Sequence, residues 1–427
     1  MDCFEIDGPV KLKGKIEAGG SKNCALPVLF ATLLSDGPHK VQGVPRLADM
    51  DSTLRMLVHF GLKVDQSFHS SYGADWTIDA RKISSTEAPY DHVRKMRASI
   101  LCLGPILARH GQAKVSLPGG CSIGARPIDL HLMALEKMGA VIEQDKGYVL
   151  ATAPGGRLKG AHIIFKMVSV GATENTLMAA VLADGVTEIV NAAREPEVQG
   201  LCRALQSMGA RIEGVGTSTL IVTGVSKLGA MNFRIPPDRI EVGTYLIGAQ
   251  MAGGDVTVSG CDPEEMRLLL DLLQESGAKI EINGDSIRCI SSPTIKPIDV
   301  ETSPYPGFAT DLQAQWITLM TQAEGDSTAT ETIFENRFMH VPELIRMGAD
   351  LKISGKVVRI RGLGRTSLQG APVMATDLRA SASLVLAALA ASGTSRIKRI
   401  YHLDRGYETM ELKLRDLGAT VERTLDQ

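Results

Sequence analysis

The chain has 427 residues, of which 44% are hydrophobic and 22% charged, and its formal net charge is −2. This is the composition of an ordinary globular protein, and the length is sufficient for two or three domains. The nearly balanced charge excludes recruitment to nucleic acid or to an anionic membrane by a general basic field, so any anion site must be built locally.

The N-terminus and the cysteines indicate a cytoplasmic protein. The first eight residues, MDCFEIDG, lack the basic and apolar regions of a secretory signal, and apolar stretches such as 101–108 and 384–391 are too short to span a membrane. The seven cysteines have no CxxC spacing and the nine histidines no HExxH spacing, which argues against disulfides and metal sites. No complete nucleotide-binding fingerprint occurs, so we expect neither a metal nor a cofactor.

In chain order, the predicted elements form six copies of one unit. Each copy contains an amphipathic helix that ends at a glycine, followed by a strand with alternating apolar residues. The marker glycines are Gly61, Gly139, Gly209, Gly277, Gly348 and Gly418, with spacings of 78, 70, 68, 71 and 70 residues. A second, more apolar helix begins near Lys22, Arg97, Ser169, Glu241, Asp311 and Arg379, and a β-rich segment follows it. The sequence therefore predicts an α/β protein of six βαβαββ repeats.

The repeats predict two domains. One such unit is too small to bury the face of its own sheet, so we expect helices packed inside sheets, in two groups of three units. Glycine and proline are dense at 224–237, after the third repeat, and this predicts the boundary between the groups. The periodicity leaves open whether the first twenty residues join the first or the second group.

The stretch SLPGGCSIGARPIDLH at 116–131 combines a thiol, a cation and three glycines. Gly119, Gly120 and Gly124 permit a close approach of a ligand to the main chain. The apolar periodicity that follows predicts a helix. Cys121 therefore lies close to a predicted helix N-terminus, where backbone donors favour the thiolate, and we expect it to be functional.

Cations occur at the predicted helix starts unusually often, at Lys22, Arg97, Arg126, Arg337, Arg379 and Arg405. A positive side chain in this position opposes the helix dipole by about 0.3–1 kcal/mol. A bound anion would account for the placement if the two domains direct these helix ends into one cleft. The alternative is that each cation is a surface residue paired with a nearby acid.

Asp311 and Asp377 each follow a threonine at a predicted helix start, where Asp and Thr are common caps. Capping is the favoured interpretation for Asp377. Asp311 has a second interpretation, as a carboxylate in a cation-lined cleft that accepts a proton from a substrate hydroxyl.

Eight motifs together resemble the UDP-N-acetylglucosamine enolpyruvyl transferase family: SKN at Ser21, KMRASI, SLPGGCSIGARPIDLH, NAAREPE, ATDLQAQ, ETIFENRFMHVPEL, ATDLRASASL and IYHLDRGYE. The resemblance runs along the whole chain, and the loop around Cys121 is highly specific. It implies two inside-out α/β barrel domains, each of three pseudo-symmetric βαβαββ repeats. The N-terminal domain would be 22–235, the C-terminal domain 1–21 plus 236–427, and the active site would lie in the cleft between them.

The resemblance also implies an activity. Enzymes of this family transfer the enolpyruvyl group of phosphoenolpyruvate to the 3′-hydroxyl of UDP-N-acetylglucosamine and release phosphate. This is the first committed step of peptidoglycan biosynthesis and so serves the cell wall, cell shape and cell division. The implied partners are these two substrates and the covalent inhibitor fosfomycin, with no nucleic acid and no membrane insertion.

The resemblance implies a role for each matching residue. Cys121 would protonate the methylene carbon of phosphoenolpyruvate and form a covalent adduct with it, and Asp311 would accept the proton of the sugar hydroxyl. Lys22, Arg126 and Arg405 would hold the donor phosphate, Lys22 and Arg405 as part of the catalytic set, and Arg337 and Arg379 the carboxylate side. The acceptor would contact Asn23 and Ile333 at the sugar, Arg97, Arg126, Pro127, Ile128, Asp129 and Leu130 at the uridine end, and Ser169, Val170 and Gly171 at the diphosphate.

One departure and two alternatives stay open. The family often has a lysine two residues before the serine of the SVG segment; this position is Met167 here, with Lys166 one residue earlier. The shikimate-pathway enolpyruvyl transferase shares the implied fold but is not expected to carry a thiol in this loop. A non-catalytic sugar-nucleotide binding protein would gain nothing from having both Cys121 and Asp311.

Overall fold

The structure is a computed structural model that describes residues 2–69, 72–118, 127–365 and 367–425. The predictions for Cys121 and Arg126, and for the three glycines between 119 and 124, lie outside the described residues. The described residues divide into two compact units. We call the described residues of 20–236 the first unit, and those of 2–19 and 237–425 the second unit.

The helices of the described residues are mostly short, because the repeats alternate helix and sheet over few residues. The α-helices are α1 Lys22–Ala31, α2 Ala48–His59, α3 Tyr90–Val93, α4 Leu103–His110, α5 Asp129–Lys137, α6 Val170–Ala180, α7 Pro196–Ser207, α8 Arg239–Met251, α9 Arg267–Glu275, α10 Gln313–Met320, α11 Val341–Arg346, α12 Leu378–Ala390 and α13 Met410–Asp416. Short 3-10 helices lie at Thr32–Leu34, Arg97–Cys102, Pro154–Gly156, Pro263–Met266, Thr310–Leu312 and Ile400–Arg405.

The strands of the described residues alternate with these helices. They are β1 Asp2–Gly8, β2 Lys13–Glu17, β3 His39–Val44, β4 Lys63–Phe68, β5 Ala74–Asp79, β6 Glu87–Ala88, β7 Gln112–Ser116, β8 Val141–Asp145, β9 Tyr148–Thr152, β10 His162–Ile164, β11 Val186–Val190, β12 Arg211–Glu213, β13 Thr219–Thr223, β14 Asn232–Arg234, β15 Asp255–Ser259, β16 Lys279–Asn283, β17 Ser286–Ile290, β18 Val300–Glu301, β19 Glu324–Thr330, β20 Asp350–Ser354, β21 Val357–Leu363, β22 Pro372–Met374, β23 Gly393–Lys398 and β24 Thr420–Leu425.

The described residues of the first unit form three four-stranded sheets, with strand orders β14-β3-β5-β4, β6-β7-β9-β8 and β10-β11-β13-β12. In each sheet one edge pair is parallel and the other two pairs are antiparallel. Helices α1, α4 and α6 are apolar and buried over almost their whole length, as expected for helices in a domain interior. They form the core of this unit with inward-facing strand residues such as Trp76 and Ile163.

The described residues of the second unit also form three four-stranded sheets, with strand orders β22-β23-β1-β24, β16-β17-β15-β2 and β18-β19-β21-β20. The start of the chain completes two of them. Phe4 in β1 lies between Ile397 of β23 and Arg423 of β24, and β2 runs parallel to β15. Helices α8, α10 and α12 are buried on nearly all sides, and Trp316 of α10 lies in the core of this unit.

The glycines that mark the repeats have one backbone conformation. All six have φ between 87° and 110°, in the left-handed region that favours glycine. They end the amphipathic helices, as the sequence predicted, because a side chain would strain this turn. The predicted α/β class with repeated helix, glycine and strand is confirmed. Among the described residues, no helix has the length and apolarity that a membrane span requires.

Candidate active site

Three charged residues of the second unit, Asp311, Arg337 and Arg379, form a group that we call the Asp311 cluster. Asp311 lies in the 3-10 turn that leads into α10, Arg337 in the turn before α11, and Arg379 at the second position of α12. The Nη2 atom of Arg337 is 2.7 Å from Oδ1 of Asp311, and the Nη2 atom of Arg379 is 2.8 Å from Oδ2. Each carboxylate oxygen therefore pairs with its own arginine.

The two arginines determine the charge state of Asp311. Arg337 and Arg379 are only 5% and 3% exposed, so water screens the interaction weakly. Burial disfavours the ionised carboxyl, but attraction to Arg379 and Arg337 outweighs it and holds the pKa of Asp311 well below its usual range. Burial also disfavours the charged guanidinium of Arg379, yet the Asp311 carboxylate raises its pKa. One negative charge thus lies between two positive charges, and the cluster is net positive.

Arg379 has more hydrogen-bond donors than the described residues use. Its Nη2 donates to Asp311, whereas its buried Nε and Nη1 have no hydrogen-bond partner in the described part of the chain. A buried donor without a partner costs roughly 1–3 kcal/mol. The guanidinium carbon lies 5.5 Å from the centre of the Tyr407 ring. This arrangement suits a carboxylate ligand, which accepts the parallel hydrogen bonds of a guanidinium.

Neutral groups fix the backbone of Asp311. The Nε2 atom of Gln315 donates to the Asp311 carbonyl oxygen over 3.0 Å, and it lies 3.1 Å from Thr244 Oγ1 and 3.2 Å from the Tyr407 hydroxyl. The Thr244 and Tyr407 hydroxyls are 2.9 Å apart. Burial raises the pKa of Tyr407, so the phenol stays protonated. Asp311 is therefore held at its main chain as well as at its carboxylate.

Asp377 is a helix cap, as the sequence predicted. Its Oδ1 accepts hydrogen bonds from the backbone N–H groups of Arg379, over 2.9 Å, and Ala380, over 3.1 Å. The residue that caps the turn at Asp311 is Ala309, and the Asp311 carboxylate pairs with arginines instead. Capping is thus the role of Asp377, whereas proton acceptance by Asp311 stays a prediction.

Lys22 lies in the first unit, at the first position of α1, after the capping residue Ser21. Its Nζ is 2.8 Å from Oδ2 of Asp49, and the two side chains are 10% and 4% exposed. Asn23 follows and is half-buried. A cation paired with a nearby acid is the alternative that the sequence left open, and a buried pair of this kind adds little net stability.

The start of α5 and the start of α6 lie close together in the first unit. The Nδ2 atom of Asn175 is 3.1 Å from Nδ1 of His131, and a Cβ atom on Gly171 would lie 3.3 Å from the same ring. The structure therefore brings His131, the residue after the segment 127–130, next to Gly171 of the segment 169–171; the resemblance assigns these segments to the uridine end and the diphosphate. Ile128 and Leu130 are core residues.

The first turn of α6 provides backbone donors. Ser169 caps this helix by accepting a hydrogen bond from the N–H of Ala172 over 3.3 Å. Next to it, Lys166 is exposed and its Nζ lies 3.1 Å from Oδ2 of Asp129, whereas Met167 is an exposed apolar side chain. A helix N-terminus with a neighbouring lysine is favourable for a diphosphate.

Comparison with known proteins identifies the family. The sequence model described as EPSP synthase (3-phosphoshikimate 1-carboxyvinyltransferase) matches residues 6–414. The UDP-N-acetylglucosamine 1-carboxyvinyltransferase of Koribacter versatilis (strain Ellin345) is 52% identical over 423 residues, which cover 99% of this chain and 96% of that protein. The protein of the same name from Enterobacter cloacae is 51% identical over 424 residues, 99% of each chain. The chain belongs to the UDP-N-acetylglucosamine 1-carboxyvinyltransferase family.

Solved structures confirm the fold expected for this family. The enolpyruvyl transferase NikO from Streptomyces tendae superposes with a TM-score of 0.87 at 23% identity, covering 100% of this chain and 99% of that one. An EPSP synthase from Acinetobacter baumannii superposes with a TM-score of 0.76 at 21% identity over 100% of both chains. The enolpyruvyl transferase fold predicted from the sequence motifs is therefore correct.

Two of the predicted helix starts in this family member are wrong. Arg405 is the last residue of the 3-10 helix Ile400–Arg405, and the next helix begins only at Met410. Arg337 lies in a turn, four residues before α11 begins at Val341. Of the five predicted cations that the structure describes, Lys22, Arg97 and Arg379 stand at the first or second position of a helix, so the opposing-dipole argument applies to these three.

The structure adds residues that the motifs did not identify. Asp49 pairs with Lys22, His131 lies beside Gly171, and Gln315 and Tyr407 support the Asp311 cluster. The contacts of Asp49, His131 and Tyr407 join residues far apart in the sequence, so no local pattern predicts them, whereas Gln315 lies only four residues after Asp311. His131 and Gln315 do occur in family motifs, and their positions there were the available signal.

Proposed function

We propose that this chain transfers the enolpyruvyl group of phosphoenolpyruvate to the 3′-hydroxyl of UDP-N-acetylglucosamine and releases phosphate. Relatives with 52% identity over nearly the whole chain carry the corresponding name. The product would enter peptidoglycan biosynthesis, and the enzyme would act in the cytoplasm. The structural observation that carries the proposal is the Asp311 cluster, where a carboxylate lies beside a buried arginine with unused donors.

The donor would be held by cationic side chains. Arg337 and Arg379 would bind its carboxylate side, since Arg379 has two unpartnered donors in the described structure. Lys22, Arg126 and Arg405 would bind its phosphate. The pairing of Lys22 with Asp49 keeps the ammonium group in one place before the phosphate arrives.

The acceptor would lie along the first unit. Ser169, Val170 and Gly171 would bind the diphosphate at the N-terminus of α6, and Arg97, Arg126 and the segment 127–130 would bind the uridine end. Asn23 and Ile333 would contact the sugar. Lys166 lies next to Asp129, and we propose that it supplies the positive charge that Met167 lacks.

The reaction would proceed by addition and elimination. Cys121 protonates the methylene carbon of phosphoenolpyruvate while the sugar oxygen bonds to the neighbouring carbon and Asp311 takes the hydroxyl proton. The methyl group of this adduct then returns a proton to the Cys121 thiolate, and the electron pair of the broken C–H bond restores the double bond. At the same time the bond to the phosphate oxygen breaks, and the electron pair leaves with phosphate.

Binding of the donor would convert Asp311 into a stronger base. In the described state two arginines hold its pKa well below the usual range, and such a carboxylate accepts a proton poorly. A donor carboxylate at Arg337 and Arg379 would offset their positive charge and raise the pKa of Asp311. The base would therefore be activated only when the donor is in place.

Phosphate release by the purified chain tests the proposal. Phosphoenolpyruvate is supplied with either UDP-N-acetylglucosamine or shikimate 3-phosphate, and we expect release only with the nucleotide sugar. Release only with shikimate 3-phosphate would favour the shikimate-pathway activity. Binding of the nucleotide sugar without release in either case would favour a non-catalytic binding protein.

A further inference from the structure

Glu331 is a buried carboxylate that the family motifs do not assign to any role. It follows strand β19, is 1% exposed, and accepts four hydrogen bonds. Oε1 accepts from the Thr302 hydroxyl over 2.9 Å and from the N–H groups of Ile333 and Phe334 over 2.8 and 3.1 Å, and Oε2 accepts from the Thr310 hydroxyl over 2.8 Å. All four donors are uncharged, so hydrogen bonds rather than an ion pair compensate its burial.

One of these hydrogen bonds holds the residue next to Asp311, the proposed base. Thr310 immediately precedes Asp311 in the same 3-10 turn. Its hydroxyl donates a hydrogen bond to Glu331, and Gln315 donates one to the Asp311 carbonyl oxygen. The turn is therefore held at two consecutive residues.

Two other hydrogen bonds hold the segment that carries Arg337. The N–H of Phe334 donates to Glu331, and the guanidinium carbon of Arg337 lies 5.2 Å from the centre of the Phe334 ring. Ile333, proposed to contact the sugar, is held by the same carboxylate oxygen. One side chain thus sets the relative position of the turn with Asp311 and the segment that carries Ile333 and Arg337.

Thr302 anchors Glu331 to the sheet. Its hydroxyl donates to Glu331 and accepts from the N–H of Thr332, and its N–H donates to the carbonyl oxygen of Thr330 at the end of β19. The hydroxyl of Thr332 donates back to the carbonyl oxygen of Thr302. Both segments are therefore held relative to the end of strand β19.

We propose that Glu331 is a positioning residue that aligns Asp311 with the sugar-binding segment, an inference that rests on the proposed function. It touches neither substrate and acts through Thr310 on the base, through Ile333 on the acceptor side, and through Phe334 on Arg337, which is proposed to bind the donor. A displacement of about 1 Å at a reacting group can cost roughly 10²-fold in rate. Loss of this carboxylate therefore alters turnover and acceptor binding, and not stability alone.

The test separates the contact of Glu331 with Thr310 from its contacts with Ile333 and Phe334. Thr310→Val removes one hydroxyl at constant shape, and we expect kcat to fall roughly ten-fold with little change in KM for UDP-N-acetylglucosamine. Glu331→Ala frees both segments, so kcat falls by roughly 10²-fold and KM rises. Glu331→Gln keeps an acceptor oxygen for the two N–H groups, and its amide can donate to Thr310, so it recovers most of the activity.

Thr318→Val is the matched control. It removes a buried hydroxyl of the same unit, which donates to the Ala314 carbonyl oxygen inside α10, and it should leave kcat and KM unchanged. If Thr310→Val and Glu331→Ala lower only the melting temperature and keep wild-type kcat and KM, the positioning role is refuted.

An inactive wild type would refute the proposed function, and only the positions that Glu331 imposes on Asp311 and Ile333 would then be left to test. Crystal structures then decide, since they need no turnover. Displacement of the Asp311 carboxylate and of Ile333 in Glu331→Ala would support the role, and unchanged positions would overturn it.

Discussion

Asp311 has a charge state that its neighbours impose. Both carboxylate oxygens pair with buried arginines at 2.7 and 2.8 Å, and the same arginines are the proposed donor site. Donor and base therefore compete for the same positive charge. At this scale the motifs singled out Asp311, Arg337 and Arg379, and the structure brings these three side chains together. The sequence could not predict that they touch one another, because they are 26 and 68 residues apart from Asp311.

Asp311→Asn should separate the role of Asp311 as a base from its competition with the donor for Arg337 and Arg379. We expect kcat to fall by roughly 10²-fold or more, because the amide cannot accept the hydroxyl proton. KM for phosphoenolpyruvate should fall or stay equal, since the arginines lose their competing anion. Steady-state kinetics checks both. Asp299→Asn, a solvent-exposed acid of the same unit that accepts from the Thr328 N–H, serves as the control and should keep wild-type kcat. Wild-type kcat in Asp311→Asn would exclude Asp311 as the base.

Fosfomycin should alkylate Cys121 alone. The six other cysteines, all in the described part of the chain, are buried, and burial raises the pKa of the Cys202 and Cys289 thiols to about 12. Such thiols stay protonated at neutral pH and are weak nucleophiles. Peptide mapping by mass spectrometry should place one adduct at Cys121. Cys121→Asp should keep turnover and resist the inhibitor, and an adduct at any other cysteine would contradict this prediction.

At the scale of elements, the repeat was predictable and the sheets were not. The marker glycines have positive φ, which a sequence reports directly because other residues are disfavoured there. The strand orders of the sheets depend on pairing between residues far apart in the sequence, such as Phe4 with Ile397, and no local pattern predicts such pairing. The helix start predicted at Arg405 was wrong because a 3-10 helix ends there, and a charged residue near a glycine fits either end.

Helix α11 is preceded by a buried histidine that should make stability depend on pH. Burial, assisted by Arg337 and opposed by Asp377, lowers the pKa of His340 to about 4. A lowered histidine pKa gives stability that is complete above the unfolded value near 6.5 and is lost as pH falls towards 4. His340→Gln should therefore flatten the pH dependence of the unfolding free energy in this window, by up to roughly 3 kcal/mol. Urea titrations from pH 4 to 7 measure it, and an unchanged slope would contradict the assignment.

At the scale of the whole molecule, the described residues form two units of like construction, and each unit contains residues to which the motifs assign a role. The first unit holds Lys22 and the helix starts near 129 and 169, and the second holds the Asp311 cluster. The motifs identified the family because they span both units. Residues such as Asp49 and Glu331 escaped notice, since their roles follow from contacts that only the folded units create.

Mass spectrometry of the reaction product decides whether this chain is an enolpyruvyl transferase acting on UDP-N-acetylglucosamine. Purified wild type and Asp311→Asn are each incubated with phosphoenolpyruvate and the nucleotide sugar. We predict that the wild type converts the nucleotide sugar into a species heavier by one enolpyruvyl group, with one phosphate released per product, and that Asp311→Asn forms it far more slowly. Unmodified nucleotide sugar after prolonged incubation with folded wild type would contradict the proposal.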